Sequence, residues 1–424
     1  MTPGARLAAA IELYQAIADG RDPADRLLTN WARKHRYAGS KDRRAVTELV
    51  YGTLRRAEAL AWRLARQGAA ATPRLMVLAA SGLKPDELAA RAADRFAPAA
   101  PDAAEAAALA ALADPAPADM PDWAVSGYPE WLDPSLRRRF GDRTAAEMAV
   151  MAARAPVDLR ANTLKTTRDA ALAQLVAEGI SAKPTARSPL GLRLDAHDRL
   201  DDLALLREGL VEPQDEAAQL CALLVAAEPG MQVVDYCAGA GGKSLALAAA
   251  MRNKGQIYAL DRDPRRLQRL APRAQRAGAR NIQSRPIRVD DPWAAELAGR
   301  CDRVLVDAPC SGTGTWRRNP EARFRLTADM LASHTRRQDQ VLRDAADLVR
   351  PGGRLVYATC SLLPEENEDR VAAFLQDHPD FAVLPIGRIW DDAWGACPGQ
   401  PYLALSPASH DTDGFFTAVL TRQP

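Results

Sequence analysis

Residues 233–244 read VVDYCAGAGGKS: two β-branched residues, an acid, and a turn with glycine at 239, 241 and 242 ahead of Lys243 and Ser244. Glycines let a backbone approach a ligand closely, and a helix that starts after them offers unpaired N–H groups. The spacing is not that of a dinucleotide loop, which wants G-x-G-x-x-G. It is also two residues short of a triphosphate loop ending in Gly-Lys-Ser. Working outward, 256–260, 282–286, 304–306 and 355–357 read as further strands, each leading into a loop on one rim, with helical stretches between them. This is the pattern of a doubly wound α/β sheet. Residues 415–420 form a last strand, expected at the antiparallel edge. Strand two ends in Asp261, where a carboxylate grips the hydroxyls of a ribose, and Asp290 follows strand three, placed to meet an adenine. A nucleoside without pyrophosphate fits this series, and S-adenosylmethionine is the expected cofactor. The competing reading is a bare strand-to-helix turn with Asp261 capping the next helix; loop and acids in this order outweigh it.

Two cysteines leave strands on the same rim. Residues 303–315 read RVLVDAPCSGTGT and residues 354–361 read RLVYATCS. Buried cysteine is usually a small core hydrophobe, the reading kept for Cys221, Cys301 and Cys397. Cys310 and Cys360 differ because each follows its strand into a polar turn. Methyl transfer to carbon 5 of a pyrimidine needs a thiolate to add at carbon 6, which makes carbon 5 nucleophilic. Asp307, three residues before Cys310, is placed to serve ring nitrogen 3. A second thiol can assist the elimination that frees the enzyme.

The 424 residues exceed one ordinary core, so two or three domains are expected. Hydrophobic content of 47% and charged content of 26% are those of a globular chain. No apolar run is long and uncharged enough to cross a bilayer, and residues 1–15 lack a signal-peptide core. Six scattered cysteines form neither a disulfide framework nor a zinc pattern, so a reducing, cytoplasmic setting without a metal is expected. The net charge is +2, but residues 1–66 hold 13 Lys/Arg against 7 Asp/Glu, a local excess that suits a phosphate backbone or simply solubilises the surface. Helical periodicity runs through residues 1–68, and prolines cut residues 69–119 into short helices. The expected division is an all-α domain at 1–145, a small α/β subdomain at 150–212 and a Rossmann-like domain at 213–424.

The motifs RANTLK (160–165), QDEAAQ (214–219), CAGAGGK (237–243), DAPCSGTGT (307–315), ATCS (358–361) and DGFF (413–416) occur in one order over the last two thirds of the chain. In them the chain resembles the RsmB/Nop/Sun family of RNA 5-methylcytosine methyltransferases. The resemblance implies a class I methyltransferase domain, a small RNA-binding α/β subdomain and, in the ribosomal RNA subtype, a NusB-like helical domain. It implies Cys360 as nucleophile, Cys310 as the cysteine of release, and Lys243 facing the reaction site beside Asp307. Cofactor contacts carry over to Cys237, Ala238, Gly239, Ala240, Gly241, Gly242, Lys243, Asp261, Arg266, Asp290 and Asp307. Arg160, Asn162, Lys165, Arg317, Arg318 and Arg323, with Arg325, are candidates to hold RNA around an unstacked cytosine; each is otherwise an ordinary surface residue. The family loop usually carries Ala-Pro where this chain has Gly239-Ala240, so a fixed φ angle is lost.

Ribosomal RNA is the expected partner of a monomeric enzyme. A tRNA substrate, or an assembly factor that binds RNA with a vestigial methylase, remain as alternatives. A DNA cytosine methyltransferase would use one Pro-Cys nucleophile, and an amino-group methyltransferase would show Asn/Asp-Pro-Pro-Tyr/Phe after strand four. Neither pattern is present.

Overall fold

The computed structural model describes all residues except 21, 196–199, 201–202, 289–290 and 398–400. The chain separates into two compact bodies, Met1–Arg154 with Thr315–Leu326, and Ala155–Gly314 with Thr327–Pro424. The first is all-helical, in keeping with the NusB-like resemblance. Pro3–Asp19, Ala24–Lys34, Ser40–Arg55 and Ala57–Arg66 are its longest helices, and Leu7, Leu13, Ile17, Val46, Val50 and Leu64 supply its buried stripe. Helical spacing places such residues on one face, and burying them is what makes short helices stable. Pro73 and Pro85 start helices in the first turn, where a missing N–H costs nothing.

Thr315–Leu326 belongs to this helical body although it directly follows the DAPCSGTG turn. Arg323 anchors it, donating to Gly127 O at 2.7 Å and Met151 O at 2.6 Å while stacked 5.3 Å from the Trp316 ring. Arg325 donates to Ile17 O and Asp22 O, and Glu321 accepts from Ala24 N.

The second body holds two sheets. Among the described residues the smaller has β1 (Val157–Ala161), β2 (Ala182–Pro184), β3 (Gly191–Leu194) and β4 (Val211–Pro213), antiparallel in the order β2-β3-β1-β4. Helix Arg168–Ala177 covers it through Ala171 and Leu175. The larger has β5 (Gln232–Asp235), β6 (Gln256–Asp261), β7 (Ile282–Pro286), β8 (Cys301–Asp307), β9 (Val349–Thr359), β10 (Phe381–Val383), β11 (Leu403–Leu405) and β12 (Phe415–Arg422). Its order is β10-β12-β9-β8-β5-β6-β7, with β11 also paired to β12. Strands β7, β6, β5, β8 and β9 are parallel, and β12 is antiparallel to β9. The last strand is therefore not an edge, as its sequence suggested, because the short β10 and β11 flank it.

Alternation explains both covered faces. Val234, Val304, Val306, Leu355 and Tyr357 pack with Val341, Leu342 and Val371 on one side. Val233, Leu305 and Val356 pack with Leu220, Leu224 and Leu247 on the other. Successive residues point to opposite faces, so strands buried on both sides read as unbroken apolar runs.

Replacing Arg323 with alanine leaves two buried carbonyls without their donor. A loss of about 2–3 kcal/mol is expected, seen as an earlier unfolding transition in a denaturant melt; an unmoved transition would contradict the anchoring role.

Candidate active site

The carboxyl ends of the parallel strands carry the chemistry, as open α/β sheets require. β5 ends in Asp235, which is buried and accepts a 2.6 Å hydrogen bond from Ser244 Oγ at the start of helix Gly242–Ala250. That bond fastens the two ends of the glycine turn. Gly239 and Gly241 take φ values of +56° and +81°, a region that a β-carbon penalises. A Cβ on Gly241 would also sit 2.1 Å from Leu270 Cδ1. The missing proline is offset by contacts from outside the loop: Gly239 N donates to Asp261 Oδ2 at 2.8 Å, and Arg273 Nη1 donates to Ala240 O at 2.7 Å.

The turn borders a cavity of about 650 Å³ lined by Tyr236, Cys237, Asp261, Asp307, Cys310 and Cys360, among others. Asp261 Oδ1 also accepts from Asp263 N, and Arg266 lies 3.4 Å from Oδ2 over the Gly239 backbone. An acidic acceptor at the end of β6, a backbone exposed by glycine and a partly apolar wall fit a nucleoside with free hydroxyls. These residues therefore suit S-adenosylmethionine. Asp290 lies outside the described residues.

Cys310 and Cys360 come from different strands and meet, Sγ to Sγ at 3.5 Å. Lys243 and Asp307 are also brought together, with Nζ 2.7 Å from Oδ2. The ammonium sits 4.9 Å from the centre of the Phe415 ring. Burial opposes the Lys243 charge, but Asp307, Cys221 and Asp235 together hold the amine above its ordinary value. The Cys310 thiol is pushed well above the usual range by its contact with Cys360, then by burial and the Cys360 and Glu366 charges. Burial, with Asp261 and Asp307, also raises the thiol of Cys237, which lines the cavity.

Several expected RNA contacts are engaged elsewhere. Arg160 is 2% exposed and donates Nε to Gln214 Oε1 at 2.6 Å. Buried Asn162 donates to Gly209 O and Ala277 O. Lys165 is exposed, but its ammonium meets Glu208 O and Arg276 O. Arg317 and Arg323 are buried and Arg318 is half-buried, all in the segment that belongs to the helical body. Against the expectation of surface phosphate contacts, Arg160, Asn162, Arg317 and Arg323 are buried, and a buried side chain cannot meet a backbone phosphate without leaving its surroundings.

The sequence reading missed a polar cluster behind the thiols. Glu366 accepts from Ser311 N at 2.8 Å, from the Ser311 hydroxyl and from Gln338 Nε2 at 3.0 Å. Gln338 also holds Pro309 O, and Leu362 N donates to Thr313 Oγ1. Glu366 follows the ATCS motif by a few residues in a polar stretch, LLPEENE, where no spacing rule marks a buried acid.

Burial lifts the Asp235 carboxyl to about 6, against the Ser244 bond that lowers it. An acid raised on folding contributes stability below its unfolded pKa, and that contribution disappears as pH climbs through the folded value. Asp235→Asn keeps the group neutral. The variant should gain on the wild type by ~2 kcal/mol between pH 4 and pH 7, and denaturant melts at the two pH values check it. A difference independent of pH would contradict the burial effect.

The description "16S rRNA methyltransferase RsmB/F" matches residues 222–421, and the ferredoxin-like domain of RsmF/B-like methyltransferases matches residues 128–200. A probable ribosomal RNA small subunit methyltransferase B from Synechocystis sp. is 35% identical over 303 residues, covering 70% of this chain and 67% of the relative. A ribosomal RNA small subunit methyltransferase B from Citrobacter koseri is 33% identical over 297 residues, with coverage of 70% and 67%. The crystal structure of PH0851 superposes with a TM-score of 0.79 at 26% identity over 99% of both chains. Among the described residues no helix is long and apolar enough to cross a membrane. With the glycine turn, the strand-end acids and the paired thiols on one rim, the chain belongs to the RsmB/F family of S-adenosylmethionine-dependent RNA methyltransferases.

Proposed function

We propose that the protein methylates carbon 5 of a cytosine in small-subunit ribosomal RNA through a covalent bond between Cys360 and the base. The approach of Cys310 and Cys360 to 3.5 Å carries the reading, since a methyltransferase acting on a nucleophilic nitrogen or oxygen needs no thiol, and one attacking carbon 6 needs a second group to let go. Bound in the adjoining cavity, S-adenosylmethionine supplies an electrophilic methyl group. The names of the relatives support ribosomal RNA over tRNA, and the cytoplasm is the compartment where such a substrate is met.

The cytosine enters unstacked, because carbon 6 is shielded within a helix. The Cys360 thiolate forms a bond to carbon 6, and the displaced ring electrons make carbon 5 nucleophilic. The Lys243–Asp307 pair serves ring nitrogen 3, where negative charge develops: the Asp307 carboxyl delivers to that nitrogen the proton it shares with Lys243 and takes it back when the sulfur leaves. Lys243 supplies the positive charge that keeps the added electrons stable. After carbon 5 is methylated, its proton passes to Cys310 as Cys310 gives its own to the departing Cys360 sulfur. The carbon 6–sulfur bond breaks and the carbon 5–carbon 6 double bond returns. Asp261 and the Gly239–Gly242 backbone hold the cofactor's nucleoside, and Arg266 orients Asp261.

Cys310→Ala should accumulate a protein–RNA adduct stable to denaturing gel electrophoresis, with turnover reduced at least ~100-fold, the usual scale for a lost acid–base group. Cys360→Ala should form no adduct and no methylated product. Adduct from the Cys360→Ala protein would reverse the two roles.

A further inference from the structure

Two thiols side by side present a choice that their own chemistry does not settle: which one attacks. Their surroundings are unequal. On the Cys310 side lies Glu366, whose side chain is fully buried. Its carboxylate is fixed by the amide and hydroxyl of Ser311, the residue next to Cys310, and by the Gln338 amide. All three are neutral donors, so they stabilise the carboxylate's charge without cancelling it. On the Cys360 side, the contacts are to backbone and hydroxyl groups: Gly314 N donates to Cys360 O at 2.9 Å, and Ser361 Oγ lies 3.2 Å from Thr313 Oγ1.

We propose that Glu366 is the positioning residue that assigns the cysteine roles, its buried charge keeping the pair's remaining proton on Cys310 and leaving Cys360 as the attacking sulfur. The inference rests on the roles proposed above and supplies their physical cause. When the pair loses one proton to solvent, negative charge on Cys310 would face a carboxylate anchored to the adjoining residue. Charge on Cys360 faces Cys310 and can accept its S–H. A like charge in a low-dielectric site disfavours ionisation of its neighbour. The Cys360 contact and burial are the larger causes that raise the Cys310 thiol, and Glu366 acts in the same direction.

The other groups around Cys310 do not reverse this. Tyr357 on β9 is held neutral by burial. Burial likewise lowers His334 on helix Ala328–Ala346, with Arg337 adding to the effect and Glu366 opposing it. Arg337 lines the cavity and favours a thiolate on either sulfur, and Asp307 has Lys243 as its partner.

The test titrates each thiol separately in the full chain, by iodoacetamide labelling across pH and mass spectrometry of the Cys310 and Cys360 peptides. In the wild type Cys360 should label with the lower midpoint. Glu366→Gln should bring the Cys310 midpoint down by about one pH unit and narrow the gap. Ser311→Ala, which keeps the charge, should preserve the order. An unmoved Cys310 midpoint in folded Glu366→Gln protein, or Cys310 labelling first in the wild type, would overturn the proposal. Should Glu366→Gln fail to fold, Gln338→Lys sets a cation against the carboxylate in place of a neutral donor and should lower the Cys310 midpoint; no fall would equally overturn it. The titration needs neither RNA nor turnover. An adduct on Cys360 combined with a flat response to Glu366→Gln would therefore reject the role of Glu366 and leave the methyltransferase reading intact.

Discussion

The register between β8 and β9 is the constraint on which the site depends. The strands run parallel with Asp307 opposite Ala358, so both chains leave the sheet at the same height and on the same rim. Cys310 lies three residues past Asp307, and Cys360 two past Ala358. Backbone bonds then stitch the exits together, Ala308 N to Ala358 O and Gly314 N to Cys360 O. The thiols converge because the strands beneath them are locked, and a site carried on strand ends is held more tightly than one on free loops. A slip of register would separate the sulfurs and turn the strand faces at the same time.

The rim is acidic before any ligand arrives. Asp235, Asp261 and Asp307 end three adjacent parallel strands, and Lys243 pairs with Asp307 as Arg266 does with Asp261. Each acid has a different occupation. Asp235 closes the loop through Ser244, Asp261 anchors Gly239, and Asp307 pairs with Lys243 and lines the same cavity as the two thiols. The small sheet takes part from outside. Buried Glu212 on β4 holds Arg273 and Arg276, and Arg273 in turn holds Ala240 O in the cofactor turn. This chain of charges gives the turn a support that a proline would otherwise provide from within.

Much of this was legible in the order of residues. Strand-end acids and cysteines announce themselves because a parallel sheet puts every strand's carboxyl end on one rim, so position along the chain translates directly into position in space. The central strands were legible through their unbroken apolar runs. Other features carry no such signal. Arg160 and Arg323 look like surface cations in sequence, since nothing local reveals that Gln214 or the carbonyls of Gly127 and Met151 will enclose them. The QDEAAQ motif proves to be scaffolding: Gln214 meets Arg160, Glu216 accepts from Ser188 N, and Gln219 accepts from the Ser188 hydroxyl. Glu366 was invisible for the same reason, because its partners lie 28 and 55 residues away. Long-range polar pairing leaves no period to read.

The most direct test of the paired-thiol account uses RNA in which 5-fluorocytidine replaces cytidine. Fluorine at carbon 5 cannot leave as a proton, so the enzyme should stall after methyl transfer with the base still attached. Peptide mapping of the stalled wild-type protein should place the nucleotide on the peptide containing Cys360. A nucleotide on Cys310, or a fully methylated product released without any adduct, would contradict the account.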